Sequence, residues 1–445
     1  MTPRILLHLD LNSYFASVEQ QANPFLRGKP VGVVATMTAN GCIIASSIEA
    51  KAKGIKTGVR VKEARAIDPN IILIPNDASK YRTVTAGFMS ILQQYTEDIE
   101  LYSIDEAFLN LTGFVRDLHQ AAAMSEEIRQ RIQDEVGEWL RCSIGIAPTR
   151  WLAKFAGDTA PKGQTLIIEP NNFAQTIDPR PLTNAWGIGE RMASHLHSLG
   201  LETLGDLRQY PVGNLLEVLG LIGYELWANV NGLELPGLTI ARQPKSIGHS
   251  HVFAKRATDI AYPRAITAKL CEKVGRRLRG LGLEAHGFYL SYGLASSAAE
   301  YWRGGGGGGG RKLPYPLIDT HDIFRHCWEM LLHDLAPGQL PNFLAVGVFN
   351  LKPRVDQLEL WSYLPQEKNG ATPRTGVERL VRGWPRGKHD PPALAQALDT
   401  INDRYGDFTV SRGNFWGLDD RDAPDRIGFR KTVGLDDPSQ WSAIR

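Results

Sequence analysis

The chain has 445 residues, of which 43% are hydrophobic and 22% charged, and its formal net charge is +2. This composition is typical of a water-soluble globular protein of several domains, and without a run of about 18 apolar residues we expect no membrane span. The acid Asp10 interrupts the N-terminal apolar run before a signal-peptide core could form, and four widely spaced cysteines predict neither a disulfide framework nor a zinc site, as in the reducing cytoplasm.

The first 165 residues alternate between apolar strands and amphipathic helices. Strands are predicted at residues 5–11, in GKPVGVVA and in CSIGIA, and helices at residues 77–95, 118–138 and 150–159. This order is typical of a ferredoxin-like βαββαβ pattern. The sequence therefore predicts an α+β core in this part of the chain.

Two further regions follow. WGIGERMASHLHSLGLETLGDL predicts two short helices joined by glycine turns, and residues 245–352 predict a second, smaller α/β unit with its own core. Within that unit, we expect that the seven consecutive glycines Gly304–Gly310 cannot pack or hold a strand and form a flexible hairpin tip or linker. Beyond Leu351 the chain is predicted to be loop-rich, with one amphipathic helix in PPALAQALDTINDRYG.

Positive charge is concentrated in one segment. From Arg242 to Lys312 there are 13 lysines and arginines against 4 acids. A basic segment of this kind is either a solvated face or a surface for a phosphate backbone.

Three acids lie in apolar surroundings. Asp105 and Glu106 are adjacent in LYSIDEAFLNLT, and Asp10 lies in ILLHLDL. Neighbouring residues of a regular strand point to opposite faces, so both acids could reach one ion only if a turn or bulge bends the backbone. Each acid could simply end a strand in solvent. Alternatively, the three together could hold a pair of Mg²⁺ ions, which prefer oxygen ligands and act in phosphoryl transfer.

The motifs around these acids resemble those of a known family. HLDLNSYFASVE and YSIDEAFLNL are similar to the two metal-binding motifs of Y-family translesion DNA polymerases, and GKPVGVVA, SIEAKAKGI, IGIAPTRWLAKFA, WGIGERMASHLHSLG and KSIGHSHVF follow the same order. The resemblance implies a ferredoxin-like palm (1–10 and 77–165), small fingers (11–76) and a helix-hairpin-helix thumb (166–241). A separate α/β little finger (242–355) and a segment with a clamp-binding peptide and tail (356–445) would follow.

The resemblance also implies roles for the acids. Asp10, Asp105 and Glu106 would be the catalytic residues that bind two Mg²⁺ ions, assisted by the Leu11 carbonyl. The ions would activate the primer 3′-hydroxyl and neutralise the pyrophosphate leaving group.

Nucleotide-binding residues follow from the same resemblance. The amides of Tyr14 and Phe15 would face the triphosphate, and Phe15 would be the steric gate that excludes a 2′-hydroxyl. Lys51 and Lys162 would contact phosphates. The family usually has tyrosine and arginine where this chain has Ile48 and Lys51, so we expect weaker nucleotide binding than in a typical member.

Contacts to DNA and to a partner are implied as well. Gly187 and Gly189 would let backbone amides approach a DNA phosphate, and Lys245, Ser246 and Arg256 would contact the DNA backbone. A peptide after the little finger is similar to those that dock in the sliding clamp, and its anchors would be Gln357, Leu358, Leu360 and Trp361.

The sequence thus predicts a monomeric, cytoplasmic, low-fidelity DNA polymerase acting on primer–template DNA and deoxynucleoside triphosphates. Two alternatives remain open. A two-metal nuclease or phosphatase would leave the Phe15 gate unexplained, and a catalytically inactive clamp-bound accessory protein would not need all three acids.

Overall fold

The structure is a computed structural model that describes residues 4–39, 41–234, 244–253, 256–294, 305–354, 392–406, 408–410, 418 and 423. The described residues divide into two compact units, one within residues 4–234 and the other within residues 244–423. Each unit has its own apolar core. No helix among the described residues is long and apolar enough to cross a bilayer.

The first unit is built on a five-stranded sheet in the order β5-β6-β1-β7-β8. Strand β1 pairs antiparallel with both β6 and β7, and β8 runs parallel to β7. The strands are β1 (Leu6–Leu11), β5 (Ile99–Leu101), β6 (Glu106–Asn110), β7 (Cys142–Ala147) and β8 (Thr165–Ile167).

Side chains of β1 alternate between two cores, as the period of a strand requires. Leu7, Leu9 and Leu11 pack in one cluster with residues of α4 and α5, whereas Leu6 packs in another with residues of α6. His8 and Asp10 share the face of Leu6. The helices are α4 (Ala78–Leu92), α5 (Leu118–Arg131), which continues as a π-helical turn (Ile132–Val136), and α6 (Arg150–Thr159).

The part of the sequence between β1 and α4 has a small apolar core of its own. This core is formed by a three-stranded sheet in the order β3-β2-β4, here called the satellite sheet, and by the helices that pack on it. Its elements, with the helix α1 that precedes them, are α1 (Tyr14–Ala22), β2 (Val31–Val34), β3 (Ile43–Ser46), α2 (Ile48–Ala52), α3 (Val61–Ile67) and β4 (Ile72–Pro75).

The remainder of the first unit is helical. Gly187, with a φ of +98°, and Gly189, the N-cap of α8, form the turn that precedes that helix. The helices are α7 (Phe173–Ile177), α8 (Glu190–Ser198), α9 (Leu204–Gln209), α10 (Val212–Leu219) and α11 (Leu221–Val230).

The second unit has a sheet in the order β11-β10-β12-β9, with β13 also paired to β10, and two helices packed against it. Its elements are β9 (Ser246–Val252), α12 (Ala261–Gly280), β10 (Leu283–Leu294), β11 (Gly306–Leu317), α13 (Thr320–Asp334), β12 (Pro341–Phe349), β13 (Leu351–Pro353) and α14 (Pro392–Tyr405). Two units of mixed sheets and helices confirm the coarse α+β prediction.

The prediction that the glycine run cannot hold a strand is wrong. Glycines 306–310 lie in β11 and pair with β10 from Gly293 to Tyr289. Glycine fits here because the side chain of Tyr292, on the neighbouring strand, lies over Gly307: a Cβ on Gly307 would lie 2.6 Å from the Tyr292 hydroxyl oxygen. Gly308 has a φ of +114°, and its Cβ would lie 2.1 Å from the Leu290 carbonyl oxygen. Tertiary pairing therefore overrides local propensity.

Helix α14 is joined to α12 by ion pairs rather than standing apart in a tail. The Arg279 guanidinium donates to both carboxylate oxygens of Asp399, at 2.7 and 2.9 Å, and Arg276 pairs with Asp403. The ammonium groups of two further α12 residues, Lys269 and Lys273, lie 5.1 and 5.5 Å from the Phe408 ring centre. Four of the 13 cations in the basic segment thus face the C-terminal part of their own unit.

Candidate active site

A hairpin brings the predicted carboxylates together. Residues 102–105 form the turn between β5 and β6, and Glu106 then pairs with Asp10 in the register of β1. The Leu11 amide donates to the Asp105 carbonyl oxygen at 3.0 Å. The turn supplies the bend that two adjacent acids need in order to approach one neighbour.

Glu106 is held by two donors on a single oxygen. The Lys154 ammonium donates to Oε2 at 2.9 Å, and His8 Nε2 lies 3.2 Å from the same oxygen. Burial alone would raise the pKa of Glu106, but the His8 hydrogen bond and the Lys154 charge outweigh it and lower the pKa to about 2. Glu106 is therefore ionised across the physiological range of pH.

The pKa values of Asp105 and Asp10 are shifted in the opposite direction to that of Glu106. Burial and the nearby charge of Glu106 raise the pKa of Asp105 to about 6, although the Ser103 hydroxyl donates to its Oδ1. The pKa of Asp10 is raised well above its ordinary value, first by burial and then by the charges of Asp105 and Glu106. Burial and mutual repulsion therefore disfavour the simultaneous ionisation of all three carboxyl groups at the end of β1.

Several oxygens of this cluster lack donors. Among the described residues, neither carboxylate oxygen of Asp10 accepts a side-chain or backbone hydrogen bond, nor does Asp105 Oδ2 or Glu106 Oε1. Within the same residues, no group of three acidic, histidine or cysteine side chains is placed so that it could hold one metal ion. Carboxylate oxygens are nevertheless the type of ligand that hard divalent cations prefer.

Two lysines border the carboxylates. The Lys51 ammonium donates to Ser13 Oγ at 2.8 Å and lies close enough to Lys162, Asp10 and Asp105 to interact with their charges. Lys162 is exposed in the turn after α6, and its charge acts on Asp10. The structure therefore brings both predicted phosphate ligands to the cluster. Ile48, at the first turn of α2, has 45% of its surface exposed.

Tyr14 and Phe15 begin α1, directly after Ser13, whose φ is +52°. The Tyr14 hydroxyl donates to the Tyr81 carbonyl oxygen at 2.7 Å and lies 2.8 Å from Thr85 Oγ1. The Phe15 ring stacks on the Tyr81 ring. Both aromatic side chains are thus fixed between α1 and α4.

The remaining predicted residues lie elsewhere. In the first unit, Gly187 and Gly189 precede α8; in the second unit, Lys245, Ser246 and Arg256 are exposed at or near the ends of β9. The clamp-binding residues lie outside the described residues: Gln357, Leu358, Leu360 and Trp361.

Comparison with known proteins decides the family. The model of the impB/mucB/samB family matches residues 9–158, and that of its C-terminal domain matches residues 244–360. DNA polymerase IV of Bacillus velezensis is 33% identical over 415 residues, which cover 92% of each chain. This chain belongs to the impB/mucB/samB family, the Y-family of translesion polymerases.

Other members of the family agree with this assignment. DNA polymerase IV of Neisseria meningitidis serogroup C is 36% identical over 375 residues, which cover 81% of this chain and 100% of that one. A solved Y-family DNA polymerase chimera has a TM-score of 0.67 and 21% identity, covering 78% of this chain and 98% of its own. The structural neighbour supports the family's fold.

Sequence reasoning missed four residues of the site. Lys154 and His8 hold Glu106, Ser103 holds Asp105, and Tyr81 backs Phe15. A signal was present for two of them, because Lys154 in RWLAKFAG and His8 in ILLHLDL each interrupt an apolar run. Tyr81 and Ser103 carry no such signal.

Proposed function

We propose that this protein is a template-directed DNA polymerase of the translesion type. It would join a deoxynucleotide to a primer 3′ end by attack of the 3′-hydroxyl on the α-phosphate, with release of pyrophosphate. The observation that supports this most strongly is the cluster of Asp10, Asp105 and Glu106, with carboxylate oxygens free of donors, in a member of a polymerase family. Low fidelity and damage bypass would follow from an open site without an editing domain.

The domain layout is part of the proposal. The palm would comprise residues 1–10 and 77–165, the fingers 11–76 and the thumb 166–241. The little finger would comprise residues 242–355, followed by the clamp-binding segment and tail in 356–445. The satellite sheet β3-β2-β4 within 11–76 and the helices α7–α11 within 166–241 support these boundaries.

Two Mg²⁺ ions would be held by the side chains of Asp10, Asp105 and Glu106 and by the Leu11 carbonyl. When bound, such ions lower the pKa of a coordinated hydroxyl and neutralise charge on phosphate oxygens. Glu106 is already ionised, which prepares it as a ligand, whereas Asp105 must lose any proton it carries near pH 6.

The nucleotide would be positioned by residues around α1 and α2. The backbone amides of Tyr14 and Phe15 lie at the start of α1, where a helix favours anions. Lys51 and Lys162 would supply positive charge to the triphosphate. The Phe15 ring, held against Tyr81, would meet the sugar and exclude a 2′-hydroxyl.

DNA would be held through its phosphates. The turn of Gly187 and Gly189 before α8 would present backbone amides, and the exposed residues Lys245, Ser246 and Arg256 would contact the backbone of the duplex. Such contacts read no sequence and release counterions, so we expect affinity for primer–template to fall steeply with salt.

Primer extension tests the proposal directly. The full-length protein with MgCl₂, a labelled primer–template and four deoxynucleoside triphosphates should lengthen the primer, and Asp105→Ala should abolish extension. Asp98→Ala, a change in an exposed acid near the start of β5, serves as the matched control and should extend normally. Shortening of the primer would indicate a nuclease, and no change in length would indicate an accessory protein.

Clamp binding is a second part of the proposal. The peptide after the little finger would bind in a hydrophobic site of the sliding clamp through Gln357, Leu358, Leu360 and Trp361. Apart from this partner, the polymerase would be a monomer, and it would act in the cytoplasm. A pull-down with clamp should lose the protein when Leu360→Ala and Trp361→Ala are combined. Retention of the double variant would exclude this peptide as the anchor.

A further inference from the structure

Lys154 occupies an unusual place for a lysine. Residues 151–157 of α6 are all buried, and Lys154 is the one charged residue among these seven. Its side chain is 8% exposed and crosses from α6 to β6, where it meets Glu106. A charged group in such a position costs free energy unless it is paired.

The pairing is one-sided. Lys154 and His8 both contact Oε2 of Glu106, while Oε1 has no hydrogen-bond partner in the described part of the chain. The second contact of Lys154 is with Asp158 Oδ1 at 3.3 Å, one turn along the same helix. Two donors on one oxygen fix the carboxylate plane and leave the other oxygen pointing away from them.

The charges nearby explain what this arrangement does. Asp10, Asp105 and Glu106 repel one another, and neither Asp10 nor Asp105 has a hydrogen bond from a cationic side chain among the described residues. We propose that Lys154 is a positioning residue whose ammonium keeps the three carboxylates assembled when no divalent cation is bound. It holds Glu106 by Oε2 so that Oε1 stays free for the cation. This inference rests on the proposed metal site.

The proposal predicts that Lys154 and the divalent cation compensate the same negative charge. Lys154→Met keeps the length of the side chain but removes its charge. In EDTA, we expect the thermal unfolding midpoint of Lys154→Met to lie below that of the parent. Addition of MgCl₂ should raise the midpoint of Lys154→Met much more than it raises the midpoint of the parent. Affinity for Mg²⁺ should rise by about tenfold, the effect expected of one charge within about 4–6 Å. Lys154→Arg should behave like the parent.

The matched control is Lys53→Met. Lys53 lies 2.8 Å from the buried carboxylate of Asp68, in an ion pair that no site residue shares. This change should lower the midpoint equally with EDTA and with MgCl₂. Asp105→Asn reports on the metal site itself and should abolish the Mg²⁺ response in every background.

The outcomes separate the two ideas. Equal loss of stability of Lys154→Met in EDTA and MgCl₂, with unchanged Mg²⁺ affinity by calorimetry, would mean that Lys154 is only a structural ion pair. If Lys154→Met is unfolded in EDTA, folding upon addition of MgCl₂ supports the proposal and failure to fold contradicts it. A Mg²⁺ response that survives Asp105→Asn would instead overturn the metal site.

Discussion

The ring of Phe15 stacks on the ring of Tyr81, with centroids 4.4 Å apart and planes 15° from parallel. Tyr81 is itself fixed, because its hydroxyl donates to Glu19 Oε1 at 2.8 Å and Lys80 binds the other oxygen of the same carboxylate at 2.8 Å. The predicted steric gate is therefore one ring of a supported stack, and Phe15 itself is largely buried, with 8% of its surface exposed. Its rigidity depends on α4 as much as on α1.

Removing this support should weaken sugar discrimination. In Tyr81→Leu the Phe15 ring loses its stacking partner and can turn away from the sugar. We expect the ratio of kcat/KM for a ribonucleotide to that for its deoxynucleotide to rise about tenfold, equivalent to about 1.4 kcal/mol. Tyr81→Phe keeps the stack and should change the ratio little. Tyr95→Leu, at a tyrosine beyond the end of α4, is the control; an equal rise there would contradict the supporting role of Tyr81.

The carboxylate cluster should make stability depend on pH in a defined direction. The folded pKa of Asp105, about 6, lies above its ordinary 3.8, so its ionised form destabilises the fold at neutral pH and this penalty vanishes as the pH falls below 4. In EDTA, Asp105→Asn should therefore gain up to about 3 kcal/mol at neutral pH, and the gain should shrink between about pH 6 and pH 4. Urea denaturation at several pH values measures this.

Ionisation of Glu106 should change the free energy of unfolding in the opposite direction to that of Asp105, and urea denaturation at several pH values measures this as well. Its folded pKa of about 2 lies below its ordinary 4.5, so its charge stabilises the fold above that ordinary value and the contribution is lost as the pH falls toward 2. Glu106→Gln should therefore lose stability at neutral pH.

The Asp105 prediction has its own contradicting outcome. A gain in stability of Asp105→Asn that does not vary with pH would show that the pKa of Asp105 is not raised in the folded protein.

Nucleotide affinity should respond to the two positions that depart from the family pattern. Ile48 offers no hydroxyl, and the Lys51 ammonium cannot form a two-pronged contact with phosphate. Ile48→Tyr combined with Lys51→Arg should lower the apparent KM for the incoming nucleotide several-fold in steady-state primer extension. The matched control combines Ile67→Tyr, at an isoleucine 50% exposed on α3, with Lys53→Arg. An unchanged KM in the first variant would count against the proposed contacts.

Two neighbouring glycines of β11 should differ sharply in how much stability is lost when alanine replaces them. Gly308 has a positive φ and no room for a Cβ, so Gly308→Ala should cost at least about 2 kcal/mol. A Cβ on Gly309 would meet nothing within 4 Å, so Gly309→Ala should be neutral or stabilise by up to about 1 kcal/mol, because alanine narrows the unfolded ensemble. Thermal unfolding of the full-length variants tests this. Equal effects would mean that β11 is not paired in this register.

Local sequence signals predicted the elements that carry the site. CSIGIA and RWLAKFAGDT coincide with β7 and α6, because their apolar spacing and turn residues are encoded within each segment. The acids Asp10, Asp105 and Glu106 stood out for the same reason, since each interrupts an apolar run. The family resemblance added roles to these positions, and family membership is confirmed by relatives over most of the chain.

Long-range contacts decided the rest. Glu106 receives its hydrogen-bond donors from β1 and α6, and the Phe15 ring is supported by a ring of α4. In each case the two residues in contact are far apart in the sequence, so no short segment contains both. The glycine run forms a strand because β10 lies beside it, and the cations of α12 are engaged by Asp399 and Asp403, more than a hundred residues later. Sequence periodicity reports which face of an element is apolar, whereas the charge state of a buried acid depends on which groups the fold places around it.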